Sequence, residues 1–99
     1  GVRIIGERHV VVNNYFAELT GRDSRAAVSF LNGLIDSPLN GYFQVKEALV
    51  GFNTFVGCNE VFAIGVHSGS DAVLPPTGIT ITSNVVTPAR SNAIRYADT

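Results

Sequence analysis

The sequence predicts an α+β domain: a small mixed or antiparallel β-sheet with two helices, about 24–36 and 43–57, packed on one face. Three observations carry that expectation. Apolar residues recur at helical spacing in two central stretches, an almost unbroken apolar run occupies 61–66, and apolar and polar residues alternate over 78–86. These patterns are the signatures of amphipathic helix, buried strand and half-exposed strand respectively. Strands on either side of two helices suggest a layered arrangement with the helices on one face of the sheet.

The elements follow in chain order. Residues 2–5 are a short apolar run closed by Gly6, which reads as an opening strand or an arm. From Arg8 to Leu19 β-branched and aromatic residues dominate, favouring strand, with Asn13-Asn14 as a bulge or turn inside it. Thr20, Asp23 and Ser24 are each competent helix N-caps. Behind them Ala27, Phe30, Leu31 and Leu34 fall at i, i+3, i+4 and i+7, widened by Val28 and Ile35. Gly33 weakens this first helix, and Pro38 ends it. After the Asn40-Gly41 turn signal, Val45, Ala48, Leu49, Phe52, Phe55 and Val56 trace a second helical face, with Gly57 as its stop. Tyr42 to Val50 also contains strand-forming residues, but the helical offsets extend over more than three turns. Residues 60–67 read as a buried central strand. A loop with Pro75 and Pro76 follows, then a strand over 78–86 with Ile79, Ile81 and Val85 on one face and Thr80, Thr82 and Asn84 on the other. Residues 93–96 are a final short strand. No internal repeat is evident. The chain reads as one domain over 1–99, with flexible arms at 1–6 and 90–99.

The 99 residues include 45% hydrophobic and 15% charged side chains, one cysteine and no methionine, with a formal net charge of −1. The apolar fraction argues against disorder. A lone cysteine excludes an intrachain disulfide framework and a cysteine-based zinc cluster. Near-neutral charge argues against a dedicated nucleic-acid-binding domain. No targeting segment is read in this chain, and no apolar run reaches the roughly 18 residues that span a bilayer, so a soluble domain of open compartment is expected. The charge deficit is local: between Val61 and Ala89 the only charged residue is Asp71. Globular domains average about 25% charged residues, so a low-charge, threonine- and asparagine-rich segment suits a face that packs against a partner.

Four constellations of side chains are candidates for chemistry. His67-Ser68-Gly69-Ser70-Asp71 holds histidine, serine and aspartate within five residues. One loop does not readily wrap all three into triad geometry, so a Ser/Gly turn with Asp71 capping backbone is the simpler reading. Cys58 with His67 would be a thiol–imidazole pair, but a cysteine at a helix C-terminus is poorly placed to ionise. His9 and His67, with Glu7 or Asp71, lack metal-ligand spacing. Arg90, Arg95 and Tyr96 are too few contacts for a nucleic-acid binder. No metal or cofactor is therefore expected.

Two functions remain. The first is a structural or interaction protein that self-associates, as a subunit of a homo-oligomer or of a larger particle such as a virion, tail or filament. Its interface would include Thr80, Thr82, Asn84, Pro75 and Pro76. The alternative is a small-molecule-binding domain or small enzyme. Its pocket would lie between helices and sheet, lined by Phe30, Phe52, Phe55, Phe62 and Tyr15, with His67 and Asp71 as catalytic candidates.

Overall fold

The computed structural model describes residues 1–21, 25–39, 41–67, 69, 71–87 and 92–96. These contain strands and no α-helix. The strands are β1 (Val2–Ile4), β2 (Val10–Val12), β3 (Tyr15–Ala17), β4 (Val28–Leu31), β5 (Gly33–Leu34), β6 (Leu49–Gly51), β7 (Thr54–Val56), β8 (Glu60–Val66), β9 (Ala72–Leu74), β10 (Thr80–Thr82), β11 (Val85–Val86) and β12 (Asn92–Tyr96). The chain visits three sheets in rotation and returns to the first. One sheet runs β1-β4-β8-β12, the second β10-β6-β2 and the third β11-β7-β3. Every pairing within them is parallel. The architecture is a parallel β-helix, in which each coil stacks on the one before it. A short antiparallel pair, β5 with β9, lies off the coils.

A five-residue rhythm builds two of the three walls. In the second coil Val45, Ala48, Val50, Asn53, Phe55 and Cys58 are all buried, at alternating spacings of three and two. Within a strand, side chains alternate, so inward residues lie two apart. At each corner one extra residue in the left-handed region turns the chain and makes the spacing three. Those corner residues are Glu47, Phe52 and Gly57 in the second coil, Arg8, Asn13 and Glu18 in the first, and Gly78 and Ser83 in the third. A left-handed conformation costs a non-glycine residue roughly 1–2 kcal/mol, so each corner needs compensation.

The middle corner gets it from a stack of asparagines. The Asn14 N–H donates to Asn53 Oδ1 at 2.9 Å, and the Asn53 N–H donates to Asn84 Oδ1 at 3.0 Å. In return Asn53 Nδ2 donates to the Val11 carbonyl and Asn84 Nδ2 to the Val50 carbonyl. Each amide thus satisfies backbone groups that a corner takes out of the sheet ladder. The ladder fixes register, and register stacks like on like. Phe16 and Phe55 lie 4.7 Å apart and 8° from parallel, and Phe62 meets Phe55 edge-on at 5.1 Å. Val11, Val50 and Ile81 line the wall beside them, and Ile4, Val28, Phe30 and Phe62 close the core from the first sheet.

β4 is buried on both faces, and β8 almost entirely so. Leu31, Ala63 and Val66 from these strands form a second apolar cluster with Ala26, and Ile5 packs against it. Such strands read as continuous apolar runs.

The α+β expectation is therefore overturned. Residues expected as helices at 24–36 and 43–57 form β4, β5, β6 and β7 where they are described. The helical offsets combine the inward residues Val45, Ala48 and Phe55 with Leu49, Phe52 and Val56, which lie on another face; the coil's own inward spacing of three and two falls short of the roughly 3.6 of a helix. Phe52 is 61% exposed. Residues 22–24 and 40 lie outside the described residues, and with them the proposed caps Asp23 and Ser24. A repeat is present after all: Val10 pairs with Leu49, 39 positions on, and Leu49 with Thr80, 31 positions on. The expected strand over 78–86 is two strands split by the Ser83-Asn84 corner, and Val85 is exposed rather than level with Ile81. The strands expected at 60–67 and 93–96 are present as β8 and β12. The segment 2–5 contains strand β1, hydrogen-bonded to β4.

Two substitutions test this account. Asn53→Ala leaves the Val11 carbonyl and the Asn14 N–H without their partner. It should lower stability by about 2–3 kcal/mol, read as a lower urea midpoint. Phe52→Asn removes an exposed ring from a left-handed corner and supplies a residue that tolerates it. It should raise stability by about 0.5–1 kcal/mol, measured in the same way.

Candidate functional site on the outer face of the first sheet

The residues singled out in the sequence do not converge. Phe30, Phe55 and Phe62 are core, filled against one another and their neighbours, while Phe52 and Tyr15 point outward. His67 and Asp71 are exposed in the loop between β8 and β9, and Ser68 and Ser70 lie outside the described residues. Cys58 is buried, with Sγ 3.8 Å from the carbonyls of Phe16 and Val56. Among the described residues no helix C-terminus lies beside it, and Gly57 is a coil corner instead, so that part of its reading is corrected. Among the described residues no three His, Cys, Asp or Glu side chains gather into a metal-binding group. Thr80 and Thr82 are exposed on a strand at the edge of its sheet, and Asn84 belongs to the corner ladder. Pro75 is exposed and accepts a 2.8 Å hydrogen bond from Gln44 Nε2. Pro76 lines an apolar cavity at the coil end with Ile64, Ile79, Ile81, Ile94 and Tyr96. Arg90 lies outside the described residues.

Arg8 and Arg95 are paired with carboxylates across coils. Lys46 bridges Glu7 in backbone register. One position on, Arg8 Nε donates to Glu47 Oε2 at 3.4 Å, both side chains largely in solvent. Exposed pairs of this kind contribute little to stability. The Glu60–Arg95 pair differs: Glu60 is buried, and Arg95 Nε donates to its Oε2 at 2.7 Å. It ties β8 to β12 beneath the core.

Arg3 stands apart from these pairs. On β1, Ile4 points inward and is buried, so Arg3 points out and is exposed. Its Nη2 donates to the hydroxyl of Tyr42 at 3.3 Å. The segment carrying Tyr42 belongs to the long loop after β5 and is sewn to three partners. The Leu34 N–H donates to the Tyr42 carbonyl, the Gly6 N–H to the Phe43 carbonyl, and Gln44 Nε2 to the Pro75 carbonyl. Gly33 allows this course, because a Cβ there would collide with the backbone of Gln44. Arg3, Ile5 and Tyr42 together line a notch of about 220 Å³. The sequence reading missed both Arg3 and Tyr42. They lie 39 positions apart, and only the coil offset brings them together.

The fold and this face define the class: a parallel β-helix whose outer wall presents an arginine and a tyrosine beside a shallow cleft. The chain matches the Chondroitinase B family over residues 1–98 and belongs to that family. No curated protein matches it. Among the described residues no helix is long and apolar enough to cross a membrane.

Proposed function

We propose that the chain holds a chondroitin-type acidic polysaccharide, as the glycan-binding wall of a chondroitin-degrading protein. The observation that carries this reading is the family match over nearly the whole chain. The coil architecture supports it, since stacked strands give a long, rigid outer face on which successive sugars can lie. With a formal net charge of −1, the protein has no general attraction for a polyanion. Recognition then rests on particular side chains such as Arg3, and ionic strength modulates it through screening. Affinity electrophoresis through gels containing chondroitin-type polysaccharide or neutral dextran tests the reading. Retardation by the acidic polymer alone, reduced in 0.3 M salt, is expected; equal mobility in both gels overturns it.

A second reading, self-association, is favoured by the edges of the coils. Among the described residues β10 and β11 are hydrogen-bonded on one side only, as are β2 and β3. Unpaired strand edges template further pairing. The apolar cavity of about 370 Å³ beside β10 and β12 would be filled by such a contact. Light scattering during gel filtration over a dilution series should then show multiples of 10.5 kDa. A single 10.5 kDa species at every concentration refutes it.

A further inference from the structure

We infer that the notch between Arg3, Ile5 and Tyr42 is a subsite for the acidic group of one sugar, a carboxylate or a sulfate; the inference rests on the polysaccharide reading above. Three features of the notch carry it.

The first is the state of the guanidinium. Arg8 is neutralised by Glu47 and Arg95 by Glu60, whereas Arg3 makes no ion pair among the described residues. Among the described residues its side chain donates to the Tyr42 hydroxyl. A guanidinium has five N–H donors in a planar fork, so donors beyond the one on Tyr42 remain for a ligand in the notch that Arg3 lines. Carboxylate and sulfate oxygens fit such a fork in pairs, which gives direction as well as attraction.

The second is pre-organisation. Tyr42 holds one arm of the fork, and the Tyr42–Gln44 segment is itself fixed by backbone bonds to Leu34 and Gly6 and by the Gln44 bond to Pro75. Arg3 sits on a strand paired throughout with β4. Neither side chain depends on a free loop for its position, so less ordering entropy is lost when a ligand binds.

The third is size and lining. At about 220 Å³ the notch falls below the roughly 300–1,000 Å³ of drug-sized ligand sites. It suits a single substituted ring, with the acidic group on Arg3, the Tyr42 hydroxyl as a further donor and Ile5 against the apolar face of the ring.

Calorimetric titration of the chain with a chondroitin-type hexasaccharide tests this. Arg3→Ala should weaken binding about 10-fold, the scale of a charged hydrogen bond lost. Arg3→Lys, which keeps charge but not the fork, should fall between. Tyr42→Phe should weaken binding about threefold, and Arg8→Ala should leave it unchanged. Circular dichroism and urea midpoints confirm that each variant is folded. Desulfated and carboxyl-reduced hexasaccharides separate the two sources of the anion: the form that binds wild type and Arg3→Ala alike has lost the group Arg3 holds. Equal affinity of wild type and Arg3→Ala for the native hexasaccharide overturns the subsite and leaves the polysaccharide reading intact. A separate arm titrates free glucuronate and, in parallel, inorganic sulfate, and follows the Arg3 Nε–H resonance by NMR. A saturable shift with either, in a protein that fails to bind the hexasaccharide, supports the notch and overturns the polysaccharide reading. No shift with either and no hexasaccharide binding overturn both.

Discussion

The Asn53 side chain is the interaction on which the rest of this structure depends. A β-helix must turn its chain at every corner, and a corner removes backbone groups from the ladders that would otherwise satisfy them. Asn53 accepts from the coil before and donates to both neighbours through Nδ2, to the Val11 carbonyl and to Asn84 Oδ1. A single buried amide therefore sets the height and rotation of three coils at once. Slip by one residue would turn Phe55 outward and Thr54 inward, because side chains alternate along a strand. The Phe16–Phe55 stack and the outward position of Arg3 both presuppose that this slip does not occur.

The same geometry explains what the sequence showed and what it concealed. The run at 61–66 was legible because β8 is covered on both sides, and coverage leaves no polar face to interrupt the pattern. The strand nature of 8–19 was legible from its valines and aromatics. The helices were not real because their apolar faces were assembled from residues of both kinds, Val45, Ala48 and Phe55 inside the coil and Leu49, Phe52 and Val56 off that face. Charge gave no correction, since Glu47 and Lys46 sit at a corner where either architecture tolerates them. The repeat was hidden by its irregular length: successive partners along the first sheet, Val2, Val28, Phe62 and Ile94, are separated by unequal stretches of chain. The clue available was the recurrence of Asn14, Asn53 and Asn84, each followed at the second position by Phe16, Phe55 or Val86.

The candidate site was less legible than the fold. Histidine and aspartate draw attention in a sequence because they do chemistry, but His67 and Asp71 lie exposed in a loop away from the Arg3 notch's lining. Arg3 and Tyr42 carry no motif. Their pairing depends on β1 presenting one face outward and on a loop of the next coil returning over it. Neither fact can be read until the coil offset is known.

That returning loop has a consequence for how such a protein can vary. The corner ladder needs only that each coil begin and end in register; it is indifferent to how much chain is spent between β5 and β6. The excursion carrying Tyr42 can be lengthened, shortened or rewritten while the asparagines and phenylalanines inside keep their places. The interior acts as a fixed spine, and the wall beside Arg3 as an editable margin. Members of one fold could thus come to present different outer surfaces by redrawing that single excursion, without disturbing a buried side chain.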